Sequence, residues 1–346
     1  MNRYRFEYID IAKGLGILAV VWAHIMLVGW SHKIIYAFHM PFFFFVAGML
    51  FKREKYKSFG EFLKKRSKRL LVPYLIYAVG SYILWAGLKF FSHESWEVII
   101  KPLPQIFLAQ GSGQFMCFNS ALWFIPCLFV VEIIYFFKTS REWLNIILAF
   151  VLAGLSFVLG DIYGDGYWFL LPFNLDAALI ALPFYCIGNI ITKVYSQEKI
   201  TSMVSENNPM TLLVWIVSTA ILSVLAYKFG ECSMGSSSYN CNPTIFMVRA
   251  YVGIVSMLSF SLLLSQISNQ RLFKFKSTFK WLGTYSLDVM CLHIPIKGIA
   301  ILIMAKLLRE TTDSISEDYI LSMIVFVITM LVITPIIHLV NRVLKR

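Results

Sequence analysis

The sequence has 346 residues, 58% of them hydrophobic and only 14% charged, with a mean hydropathy of +0.71. These values exclude a water-soluble globular domain and a disordered polar chain, and they leave an integral membrane protein. A formal net charge of +12 would suit a nucleic-acid partner if it were clustered on a soluble face, but it is not distributed that way.

Apolar runs of about 20 residues, the length at which a helix crosses a hydrocarbon core of roughly 30 Å, recur along the chain. Ten are predicted, over residues 9–29, 34–51, 70–90, 121–137, 145–160, 169–191, 211–227, 245–265, 281–304 and 319–341. The expected fold is an all-α polytopic bundle of about ten transmembrane helices. It forms a single membrane-embedded domain over residues 1–346, with no separate soluble domain. The first run carries Asp10, Lys13 and His24, and no small-residue cleavage site follows it. It is therefore read as a helix that stays in place, not as a signal peptide.

With the N-terminus in the cytoplasm, most of the 31 Lys and Arg residues fall in cytoplasmic tails and loops. This positive-inside bias places both termini inside. The stretch "FKREKYKSFGEFLKKRSKRLL" holds nine Lys and Arg residues from Lys52 to Arg69 and is read as a cytoplasmic basic loop over 52–69. Its charge suits anionic headgroups, so the expected partners include membrane lipids and no nucleic acid. Homo-oligomers are left open.

Cys127, Cys186 and Cys291 fall in predicted helices and read as packing residues. Cys117, Cys232 and Cys241 fall in outer loops, and Cys232 and Cys241 in "GECSMGSSSYNCNP" could pair across a short polar loop if the outer face is oxidising. No Cys or His spacing matches a zinc site, and no metal is expected.

Ionisable groups at membrane depth carry the functional signal, because each costs at least about 2.5–3.5 kcal/mol facing lipid and so turns to a bundle interior or a wet cavity. Lys13 and His24 are three turns apart on one face of the first helix, and Asp10 lies one turn before Lys13, where it can pair with it. His39, in "FHMPFFFFVAGMLF", lies level with His24 near the outer boundary. Asp176 and Arg249 also fall in outer halves of their helices, and Glu132, Asp288 and His293 fall nearer the midplane. A polar pocket in the outer half is expected. The plain alternatives are a hydrogen-bonded packing role for His39 and His293, and mutual neutralisation of Glu132, Asp176 and Arg249 as structural pairs. His32, His93 and His338 carry no special signal.

The segments "YIDIAKGLGILAVVWAHI", "FHMPFFFFVAGMLF", "KKRSKRLLVPYL", "ALWFIPCLF", "LPFYCIGNII" and "LGTYSLDVMCLHIP" follow one another in an order that resembles the acyltransferase-3 family of integral membrane acyltransferases. Within it, the chain resembles the fucose 4-O-acetylase-like and cell-envelope glycan O-acetyltransferase branch. The family's basic-x10-His motif falls on Lys13 and His24, and its Arg-x-x-Arg motif on Arg66 and Arg69. Lys13 stands where many members carry Arg, which keeps the charge but not the bidentate fork.

The resemblance implies transfer of an acyl group, acetyl above others, from cytoplasmic acyl-CoA to a hydroxyl of an envelope glycan or lipid-linked sugar. Acetyl-CoA then acts as donor, with no permanently bound cofactor, in the bacterial inner membrane. His24 is the expected general base, with His39 orienting the acceptor or stabilising the oxyanion. Lys13, Arg66 and Arg69 are the expected donor-binding cations, and Asp10, Glu132, Asp176, Arg249 and His293 the supporting polar groups. The rival reading is a transporter or flippase for an envelope lipid or polysaccharide, which buried charge in a helical bundle fits equally well.

Overall fold

The computed structural model describes residues 6–111, 115–163, 171–196, 199–202, 208–235, 238–239, 242–267 and 270–343. Its principal helices are α1 (Glu7–Ile25), α2 (Trp30–Tyr36), α3 (His39–Leu50), α4 (Phe59–Phe91), α5 (Phe124–Phe136) and α6 (Glu142–Tyr163). They continue as α7 (Leu175–Val194), α8 (Asn208–Phe229), α9 (Pro243–Ser265), α10 (Gln270–Thr284), α11 (Ser286–Leu308) and α12 (Tyr319–Val343). Among the described residues nine helical spans are long and apolar enough to cross a membrane, α2 and α3 together forming one of them, and Ser120–Phe136 is a shorter apolar helix. The protein is thus an all-α multi-pass membrane protein. Exposed apolar side chains such as Ile83 and Phe91 on α4, Val224 on α8 and Leu331 on α12 mark faces suited to lipid, since helices satisfy their own backbone groups in hydrocarbon.

Two features depart from the predicted runs. The stretch expected as a basic loop is helical from Phe59 onward, because Ser58 caps α4. The Ser58 hydroxyl accepts from the Glu61 amide at 3.2 Å, and the Glu61 carboxylate accepts from the Lys57 amide at 2.8 Å. This is a close variant of the capping box, and the Ser-x-x-Glu spacing at 58–61 was its signal. With 33 residues, α4 is roughly 50 Å long, well beyond the hydrocarbon thickness, so its first turns can carry the basic residues outside the core.

The second departure is that the run at 281–304 is broken at Tyr285, and its first residues belong to a separate helix, α10. With Lys274, Lys276 and Lys280 along it, α10 is too polar to register as a span.

The chain packs into two compact units. One comprises Met1–Met49, Gly188–Cys232 and Asn240–Arg346, and the other Leu50–Ile187 and Ser233–Tyr239. In the first unit α1 is central and packs against α9, α10 and α11. Its contact with α10 is backbone on backbone. A Cβ at Gly283 would stand 1.8 Å from the Asp10 carbonyl oxygen, and one at Gly14 would stand 2.1 Å from that of Phe279. At the same end, Glu7 holds Lys276 at 3.3 Å and Lys280 at 3.1 Å. Gly188 lets α7 approach α3 in the same way, its absent Cβ lying 2.2 Å from the Phe45 carbonyl. We expect Gly283→Ala to push α10 off α1 and cost about 1–3 kcal/mol, read as a lower melting temperature in detergent. An unchanged melting temperature would mean that this contact carries no packing load.

In the second unit α4 packs against α5. Tyr74 on α4 donates to the Ile106 carbonyl at 2.9 Å, and Asn119 donates to Ser81 at 3.0 Å. Phe51, Tyr135 and Tyr185 pack ring against ring between these helices and α7.

Candidate active site

Three histidines of the first unit converge from α1, α3 and α11. The ring centroids of His24 and His293 are 5.0 Å apart, and those of His24 and His39 are 6.5 Å apart. Each ring turns Nδ1 to the carbonyl one helical turn earlier: His24 to Val20 at 2.9 Å, His39 to Ile35 at 2.9 Å, and His293 to Val289 at 3.2 Å. A carbonyl only accepts, so in each neutral ring Nδ1 carries the proton and Nε2 keeps the lone pair.

His24 differs from the other two. His39 and His293 are buried, whereas His24 is half-buried. His293 Nε2 lies 3.4 Å from His24 Nδ1, a second acceptor for the N–H that Val20 already holds. The Lys297 ammonium, one turn beyond His293 on α11, donates to the His24 carbonyl. Tyr36 completes the wall, 4.9 Å from His39 and 6.1 Å from His24 by ring centroids. Chemically, the arrangement can accept a proton at His24 Nε2 and hold the resulting imidazolium between two acceptors, the Val20 carbonyl and His293 Nε2.

His24 and His39 are neighbours, as their matched depth predicted. His293 was placed nearer the midplane, yet it touches His24. Counting residues along an axis ignores that a helical side chain leans toward the N-terminus of its own helix, and His24 leans back one turn to Val20. Tyr36 and Lys297 were missed. For Lys297 a signal existed, since it shares a helix face with His293 at an i, i+4 spacing.

The remaining predicted residues lie elsewhere. Asp10 and Lys13 form the expected pair, 3.5 Å apart near the start of α1, with Lys13 part-exposed. In the second unit the Arg66 guanidinium engages Glu132 with two nitrogens on two oxygens. Glu132 is fully buried, so Arg66, expected at donor phosphates, is committed to a counter-ion inside its own unit. Arg69, one turn further along α4, is exposed.

Glu132 and Arg249, for which mutual neutralisation with Asp176 was the plain alternative to a polar pocket, have other partners. Glu132 uses Arg66, and the fully buried Arg249 donates to the Gly230 carbonyl at 2.8 Å and to Cys232 Sγ. Asp176 is buried at the start of α7, where its backbone carbonyl accepts from Ser156 at 2.9 Å. Cys127, Cys186 and Cys291 are buried. The expected pairing of Cys232 with Cys241 cannot be followed, because Cys241 lies outside the described residues. Among the described residues no group of three His, Cys, Asp or Glu side chains is placed to hold a metal ion.

A family model for the acyltransferase domain of the acyltransferase-3 type matches residues 6–339, nearly the whole chain. The chain belongs to the acyltransferase-3 family. No curated protein and no solved structure matches it. The match runs through both packing units and includes every histidine of the cluster, so this membrane acyltransferase carries its three converging imidazoles inside the family's own domain.

Proposed function

We propose that this acyltransferase is an O-acetyltransferase of the cell-envelope glycan branch, integral to the bacterial inner membrane. It takes acetyl from cytoplasmic acetyl-CoA and delivers it to a hydroxyl of a glycan or lipid-linked sugar. The observation that supports this best is the state of His24, whose Nδ1–H is held by the Val20 carbonyl and His293 Nε2 while its Nε2 is free to take a proton. A sugar hydroxyl is a poor nucleophile until a base removes its proton, and a neutral imidazole suits that task near neutral pH.

In this reading the hydroxyl proton passes to His24 Nε2 as the sugar oxygen attacks the thioester carbonyl. The tetrahedral intermediate collapses, the C–S bond breaks, and the leaving thiolate takes the proton back from His24. His39 and Tyr36 orient the acceptor beside it. Lys297, which donates to the His24 carbonyl, contributes positive potential where the oxyanion forms. In the first unit Lys13 serves the anionic end of the donor, and in the second Arg66 supports, through its bond to Glu132, the helix that carries the exposed Arg69.

The test is release of free CoA thiol by the purified protein in lipid nanodiscs, with acetyl-CoA and a panel of envelope glycans and lipid-linked sugars. Thiol release that depends on the acceptor, with an acetyl ester appearing on it, is the expected result. No thiol release with any acceptor by folded protein would overturn the reading, and release only with a different acyl-CoA would correct the donor.

A further inference from the structure

A polar chain outside the histidine cluster ends on the helix that carries the base. His32, on α2, is 6% exposed, and both of its ring nitrogens face acceptors. Nδ1 lies 2.9 Å from the carbonyls of Ala23 and of Met26, which flank the last turn of α1, and Nε2 lies 2.6 Å from a carboxylate oxygen of Glu231. Carbonyls at a helix C-terminus have no partner within the helix, so a donor placed on them holds that end in position. The His32 ring also stacks on Tyr36 at 4.2 Å, and Tyr36 packs against His39. From His32, one path thus runs through the α1 backbone to His24 and a second through Tyr36 to His39.

The far end of the chain is anchored as well. Glu231 follows α8 in a short turn, and the buried Arg249 of α9 grips that turn on both sides of it, at the Gly230 carbonyl and at Cys232 Sγ. These bonds offset part of the cost of burying the guanidinium and hold the turn from which Glu231 reaches His32.

We infer that Arg249, Glu231 and His32 form a positioning latch for His24, holding the last turn of α1 so that the His24 ring stays between Val20 and His293 with Nε2 facing the acceptor. The inference rests on His24 as the base. His32, Glu231 and Arg249 touch no substrate; they act through the α1 backbone and Tyr36. The hydrogen bond from His32 holds the Glu231 carboxyl below the usual carboxylate range, with the nearby Lys33 adding its charge. A lowered value means that the Glu231 carboxyl is ionised at neutral pH and takes a proton only as pH falls below that range.

The experiment compares wild type, Glu231→Ala and Glu231→Gln in nanodiscs by steady-state kinetics and by solid-state NMR of protein labelled with 15N-histidine, the His24 signal being assigned by its loss in His24→Gln. Glu231 is half-exposed, so its truncation leaves the core intact. The latch predicts that Glu231→Ala lowers kcat by about 10- to 100-fold, since small displacements of a catalytic group cost that much, while KM for acyl-CoA is unchanged. It also predicts that the single His24 Nδ1–H signal becomes a mixture, and that Glu231→Gln, which keeps an oxygen for the His32 N–H, restores most of both. Wild-type kcat in Glu231→Ala, or an unaltered His24 signal, would overturn it. If wild type turns over no donor at all, the acetyl-transfer reading fails on its own, and the His24 signal still decides the latch.

Discussion

Replacing His24 by alanine is expected to lower acyl transfer by about 10²- to 10⁴-fold, the contribution of a positioned general base, while the protein stays folded. The size of the effect follows from what the ring alone supplies. In the proposed mechanism its Nε2 takes the hydroxyl proton, and His24 is half-buried, whereas the His39 and His293 rings are buried. His293→Ala is expected to cost less, because His24 Nδ1–H would keep the Val20 carbonyl at 2.9 Å and lose only the longer contact at 3.4 Å. Single-turnover thiol release from acetyl-CoA with saturating acceptor reads both variants, with thermal unfolding as the check on fold. If His24→Ala transferred at the wild-type rate, the base would have to lie elsewhere, and His39 would be the first residue to examine.

Removing the Glu132 carboxylate is expected to cost about 3–5 kcal/mol of stability, because it leaves the Arg66 guanidinium unpaired in a nearly dry site. Glu132 itself is 0% exposed, and the Arg66 side chain keeps only 14% of its surface. Glu132→Ala should therefore melt at lower temperature or fail to assemble. The double variant Arg66→Met, Glu132→Leu should recover much of the lost stability, since apolar residues of similar volume replace a buried pair at little net cost. Its kinetics then separate two roles for Arg66. With the pair acting as a support, the double variant keeps the wild-type KM for acetyl-CoA, whereas Arg69→Ala raises it. A raised KM in the stable double variant would return Arg66 to the donor site that the Arg-x-x-Arg motif suggests.

Much of this architecture was legible from local pattern. Long apolar runs give nearly all the spans, because crossing hydrocarbon demands about 20 apolar residues whatever the neighbours are. Helical spacing put Asp10 beside Lys13, and depth counted from helix ends put His24 level with His39. The helical start of the basic stretch at Phe59 was readable too, in the Ser58 and Glu61 spacing, but the density of Lys and Arg there hid it. By contrast, α10 was invisible to hydropathy. It docks through glycines and through Glu7, with its lysines partly used on α1.

By itself, then, the sequence determined the class of protein, the approximate spans, the family and the likeness in depth of two histidines, because hydropathy and the 3.6-residue period act within one element. Only the tertiary structure decided which polar groups meet. His24 and His293 are 269 positions apart, Arg66 and Glu132 are 66 apart, and His32 reaches Glu231 from a different helix hairpin. A periodic pattern shows which face of a helix is polar and carries no record of the partner across from it. Buried charge makes that partner decisive, since in a membrane interior an ionisable group that finds no counterpart costs several kcal/mol.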